Sequence, residues 1–133
     1  MSLLRVRSVR WVMASGLAVA SVLAAVASPR SEEVASPAKL SDTGLFVAGS
    51  LDRVAPDVLA FSPQYPLWSD GATKRRWLRL PPGTSIDASD ADAWVFPPGT
   101  RLWKEFSMGG RRVETRMIER RADGAWRFVA YLW

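Results

Sequence analysis

The stretch LWKEFSMGGRRVETRMIERRADGAWRFVAYLW, Leu102 to Trp133, decides the fold class. Short runs rich in Trp, Phe, Val, Ile and Arg are broken by Gly109-Gly110 and Asp123-Gly124, and strands joined by hairpin turns carry that spacing. The reading predicts strands over Leu102–Ser107, Arg112–Arg121 and Ala125–Trp133. Asp123-Gly124 suits a tight hairpin because both residues tolerate positive φ.

Upstream, PLWSDGATKRRWLRLPPG, Pro66 to Gly83, joins a Ser-Asp-Gly turn, a basic strand over Arg75–Leu80 and a double-proline stop. Pro97-Pro98-Gly99 stops a further strand expected over Trp94–Phe96. Phe61 to Pro66 contains two prolines and should be extended loop. The apolar residues of Val54–Leu59 recur around Pro56 without strand alternation and suggest a short helical turn. The expected fold is all-β, an antiparallel meander forming a small sandwich or partly open barrel. Six of the seven tryptophans, at 68, 77, 94, 103, 126 and 133, lie in this part and are expected to fill its core; each can bury about 150–250 Å².

The last run, WRFVAYLW, is apolar on both faces: Trp126, Phe128, Ala130 and Leu132 alternate with Val129, Tyr131 and Trp133. Such a strand belongs in the middle of a sheet or under another layer. The reading therefore expects a β module incomplete at its C-terminus. A partner strand would come from a downstream domain or from another protein.

The N-terminal end carries a targeting pattern. Arg5, Arg7 and Arg10 precede an uncharged apolar run from Trp11 to about Ala27, and Ala25-Val26-Ala27 has the small-residue arrangement of a cleavage site. Residues 1–27 are expected to be a signal peptide, 28–43 a Ser-, Pro- and Ala-rich linker, and 44–133 the β-rich module. The protein would then be exported, to the periplasm or beyond the cell, with an uncleaved anchor as its sole membrane attachment. The leader holds three of the 18 basic residues and none of the 13 acidic ones, so the net charge of +5 falls to +2 without it. A basic surface for nucleic acid is not expected from that balance.

The chain contains no cysteine and no histidine. Disulfides are excluded, and the commonest general base and metal ligand are missing together. Ser-His-Asp, Cys-His and zinc chemistry cannot be assembled within this chain, nor can covalent haem attachment through C-x-x-C-H. No catalytic, cofactor-binding or metal-binding residue is assigned.

The segments PLWSDGATKRRW, WVFPPGTRLWKEF and VETRMIERRADGAWRFVAYLW resemble the N-terminal module of exported bacterial proteins related to diheme c-type cytochromes. The resemblance covers roughly Leu40 to Trp133. It implies an electron-transfer context, with haem c held by a region downstream of the segment matched here. Similar modules stand beside sugar-dehydrogenase-like propellers, so part of an exported sugar or alcohol oxidoreductase is the alternative. A free-standing carbohydrate- or peptide-binding domain is another.

Asp70, Lys74, Arg75 and Arg76 are close in sequence, and in a strand Lys74 and Arg76 share one face while Arg75 takes the other. They form either an anion-recognising patch or a solvated surface, with Asp70 closing an Asx turn onto Ala72. Lys104 lies between Leu102 and Phe106 on one strand face, where its ammonium needs a partner. The Gly109-Gly110 turn brings Glu114 and Arg116 within reach, either as a structural cluster or as a ligand pocket with a cation–π contribution from Trp103 or Trp126. Asp70, Lys74, Arg76, Lys104, Glu114 and Arg116 are thus the candidate patch for a ligand or partner. Asp87, Asp90 and Asp92 lack the spacing and final glutamate of a calcium loop and are expected as surface turns.

Overall fold

In the computed structural model, which describes residues 35–133, the chain forms one five-stranded antiparallel sheet in the order β1-β2-β3-β4-β5. The strands are β1 Leu59–Ala60, β2 Thr73–Arg79, β3 Arg101–Met108, β4 Arg111–Arg120 and β5 Trp126–Leu132. The protein is all-β, a meander that does not close on itself. The expected signal peptide, residues 1–27, lies outside the described residues.

Gly109 and Gly110 both take positive φ, 55° and 77°, and join β3 to β4 in a two-residue turn that Cβ-bearing residues strain to form. The β4–β5 connection differs from expectation. Asp123 keeps negative φ, and the loop closes with Arg121 N–H on the Ala125 carbonyl at 2.8 Å while Gly124 alone turns left-handed. Its Asp123 carboxylate instead accepts from the Ala125 amide at 2.9 Å.

Period-two alternation dresses the two faces differently. Trp77, Trp103, Met117 and Val129 lie in one register row across β2–β5 and form the inner face. Leu40, Leu45, Phe46 and Val58 cover them, with Val54 and Ala55 packed alongside. Leu40–Thr43 is a 3-10 turn with Leu40 and Thr43 buried, so residues 40–43, expected within the linker, belong to the packed fold. Tyr131 donates from its hydroxyl to the Pro37 carbonyl at 2.9 Å, tying still earlier chain to β5.

Thr43 fixes this cover to the sheet. Its hydroxyl donates to the Leu40 carbonyl at 2.7 Å and accepts from the Trp103 indole N–H at 3.2 Å and the Leu45 amide at 3.4 Å. Arg101 donates to the Thr43 carbonyl at 2.8 Å.

Three further expectations are corrected. Val54–Leu59 is not helical: Val54 bridges Phe46, Val58 N–H closes a turn on the Ala55 carbonyl, and Leu59 begins β1, because these apolar residues serve different neighbours. Trp94–Phe96 forms only a bridge between Val95 and Asp87. Trp94 and Val95 are both exposed there, with no sheet face to receive them. Of the six tryptophans, only Trp77 and Trp103 join the buried core; the cover reaches the middle of one face, and Trp68 stays 84% exposed.

Thr43→Val should destabilise the fold by about 1–3 kcal/mol, the effect of leaving a buried indole N–H unpaired, whereas Thr43→Ser should stay within about 1 kcal/mol of the parent. Denaturant unfolding of both variants measures this, and a Thr43→Val loss below about 0.5 kcal/mol would remove Thr43 from its anchoring role.

Candidate docking face

The inner face has the buried acids. Glu105, 1% exposed, accepts from Arg75 Nε and Nη2 at 2.9 and 2.7 Å, and its second oxygen lies 3.9 Å from Arg112 Nε. A β-bulge makes the second approach possible. The β3–β4 register slips between Phe106 and Ser107, leaving Val113 unmatched and pairing Arg112 with Ser107. By simple alternation Arg112 would share the face of Glu114; the extra residue turns it inward. There its guanidinium stacks 4.3 Å from the Trp133 ring and binds Asp52.

Glu119 occupies the other end, bound by Arg101 at 2.8 Å and by Arg127. Burial pushes its carboxyl upward, but the hydrogen bonds from Arg127 and Arg101, with their charges, outweigh that effect and hold it below the usual range.

The outer face is organised otherwise. Leu59, Leu78, Leu102, Ile118 and Phe128 form one register row across all five strands. The adjacent row reads Arg76, Lys104, Arg116 and Ala130, and the next reads Lys74, Phe106, Glu114 and Leu132. Of these, Leu102, Ile118, Phe128, Arg76, Lys104 and Arg116 line, with Phe61, a trough of about 530 Å³. Among the described residues nothing is layered on it, and Phe128 and Leu132 are 70% and 83% exposed.

Five of the six candidate patch residues therefore come together: Lys74, Arg76, Lys104, Glu114 and Arg116 share the outer face. Asp70 does not join them. It stands in the turn before β2 with φ 40°, and Ser69, rather than Asp70, closes that turn, with Ala72 N–H on the Ser69 carbonyl at 2.7 Å. Arg75 points inward as alternation requires.

The expected Lys104–Glu114 pair is also corrected. Register places Glu114 opposite Phe106, and its carboxylate binds Arg116 instead. Lys104 stands opposite Arg76 on one side and Arg116 on the other. Among the described residues no carboxylate pairs with Lys104 or Arg76. Lys104 Nζ and the Arg116 guanidinium lie 4.8 and 4.9 Å from the Phe106 ring. Phe106 thus takes the cation–π role expected of Trp103 or Trp126; Trp103 faces inward and Trp126 receives Arg120 at 5.3 Å. Burial, then the charges of Arg76, Lys74 and Arg116, holds the Lys104 ammonium below its usual range.

Sequence reasoning missed the loop before β2 as part of this surface. Lys74 Nζ donates to the Leu67 carbonyl at 2.7 Å, which draws the loop toward the outer-face row. Tyr65, Leu67 and Trp68 are all more than 80% exposed on it. Two prolines flanking uncharged aromatic residues were the available signal.

The Asp87–Asp92 segment is a surface turn. Asp87 accepts from the Ser89 amide and Asp90 from the Asp92 amide, both at 3.0 Å. The Ser89 backbone and side-chain hydrogen bonds lower the Asp87 carboxyl below its usual value.

No protein-family model, curated protein or solved structure matches the chain.

The two faces should respond oppositely to loss of charge. Lys104→Met should leave stability unchanged or raise it by up to about 1 kcal/mol, since it removes like-charge repulsion. Glu119→Gln should cost about 3 kcal/mol near neutral pH because it removes the carboxylate that Arg101 and Arg127 share. The parent should lose that Glu119 contribution as the pH falls below about 4.3 and through the depressed folded-state value. Chemical unfolding across pH measures both, and a Lys104→Met loss above about 2 kcal/mol would mean that the ammonium has a structural partner.

Proposed function

We propose that this chain is an exported, non-catalytic docking module of a cytochrome-c-like electron-transfer protein, and that its outer sheet face is the docking surface. The observation that carries the reading is the Leu59–Phe128 apolar row, exposed at Leu59 and Phe128 and half-buried at Leu78, Leu102 and Ile118, lying beside Arg76, Lys104 and Arg116. Contiguous exposed apolar surface edged by charge is the mark of an interaction site. An occupant with apolar side chains flanked by carboxylates meets both rows, covering the first and neutralising the second.

Phe61, Phe106 and Phe128 supply large contact area with little rotamer entropy to lose. Arg76 offers a planar fork that holds a carboxylate in a fixed orientation, Lys104 adds a compact charge beside it, and Arg116, bound to Glu114, extends the positive field. The same cations attract an acidic partner before contact, an effect weakened by salt. Electron transfer and export rest on the resemblance of the three sequence blocks and on the leader pattern, and the module's share in that chemistry is to position a redox partner.

Photo-crosslinking in the native host tests this. A benzophenone amino acid at Ile118 should capture a discrete, haem-bearing partner, and the same probe at Arg53 should not. Capture should fall at least about tenfold in the Arg76→Glu, Lys104→Glu double variant, consistent with losing two favourable charge contacts. An Ile118 adduct without haem would overturn the electron-transfer role. No Ile118 adduct, or one indifferent to charge reversal, would overturn the docking face.

A further inference from the structure

The two edges of the sheet are built differently. β1 contains only Leu59 and Ala60 and is followed by Pro63 and Pro66, so little backbone is offered there. β5 runs seven residues, Trp126–Leu132, with no proline and no lysine.

Its hydrogen-bonding direction follows from both ends. Trp133 N–H bonds the Val113 carbonyl at 3.2 Å, and Arg121 N–H bonds the Ala125 carbonyl at 2.8 Å. Odd-numbered residues of this strand therefore direct their amides and carbonyls toward β4. Alternation then directs those of Phe128, Ala130 and Leu132 outward. Among the described residues, no backbone group outside the sheet bonds to these three.

We infer that β5 pairs antiparallel with β5 of a second copy of this chain, about a two-fold axis at Ala130. Outward-facing amides and carbonyls occur at even positions, and an axis at an even residue makes that residue and its own copy a hydrogen-bonded pair. An axis at Phe128 brings Leu132 against Gly124 in the hairpin loop, and an axis at Leu132 pairs only the end of the strand. Ala130 engages the whole stretch from Arg127 to Trp133.

The resulting neighbours are compatible. Phe128 meets Leu132 of the second copy on the outer face, Ala130 meets Ala130, and Val129 meets Tyr131. Arg127 stands opposite Trp133, so no like charges oppose one another. The axis makes the contact isologous and uses both open edges, while the blunted β1 edges stop further addition. Two docking faces then lie on one continuous sheet. This association rests on the β5 edge alone, so its failure leaves the docking role of a single outer face untouched.

Sedimentation equilibrium of the full chain should show a monomer–dimer equilibrium at micromolar concentration. Because the chain lacks cysteine, Ala130→Cys should yield a disulfide-linked dimer under mild oxidation and Leu59→Cys should not. An Ala130–Ala130 contact in a hydrogen-bonded pair, about 5.5 Å between Cα atoms, is within reach of that bond. Ala130→Pro, which removes an outward N–H, should weaken association at least about tenfold with an unchanged β-sheet circular dichroism spectrum. A persistent monomer, assemblies larger than two, or equal cross-linking from Leu59→Cys would overturn the inference.

Discussion

The sheet has two apolar faces, and residues 40–58 provide a cover for one. Everything distinctive about this molecule follows from that constraint. The Trp77–Trp103–Met117–Val129 row receives Leu40, Leu45, Phe46 and Val58, and Thr43 ties the cover to the Trp103 indole. The Leu59–Leu78–Leu102–Ile118–Phe128 row receives no equivalent layer among the described residues. Water in contact with that row leaves a hydrophobic driving force unspent within the chain, available to whatever binds there.

Charge divides along the same boundary. Glu105 and Glu119 lie on the inner face, where arginines from neighbouring strands neutralise them, and the Val113 bulge turns Arg112 inward to add to that set. The outer face keeps Lys74, Arg76, Lys104 and Arg116 with Glu114 as the acid among its register rows. A fold stabilised mainly by ion pairing would distribute acids to both sides. Here the internal pairs satisfy buried groups, while on the outer face Arg116 holds Glu114, Lys74 holds the Leu67 carbonyl, and Arg76 and Lys104 meet no carboxylate among the described residues.

Much of this was legible in the residues because hairpin chemistry and strand alternation are local. Gly109-Gly110 placed β3 against β4, and alternation alone put Lys104 with Leu102 and Phe106 and turned Arg75 away from Arg76. The bulge was not legible: Val113 looks like any strand residue, and only pairing with β3 reveals it as the extra one. The bulge is also what brings Glu114 onto the face of Lys104, yet register sets Glu114 opposite Phe106 and Lys104 opposite Arg116. Tryptophan burial failed for a related reason, since hydrophobicity does not say which positions the chain will cover. The two-faced character of WRFVAYLW was visible from the start, but among the described residues β5 stands at the edge of the sheet and not in its middle, with Tyr131 packed inward and Phe128 and Leu132 exposed outward.

Adjacent residues of β4, Met117 and Ile118, face a closed core and a half-open outer surface. Single cysteines at Met117 and Ile118, in a chain with no other thiol, test it through their maleimide-labelling rates under native conditions. Ile118→Cys should react within about tenfold of the unfolded chain, whereas Met117→Cys should be slowed by more than about a thousandfold because it must await opening of the core. Protection of Ile118→Cys equal to that of Met117→Cys would contradict it, because the outer face would then already be covered.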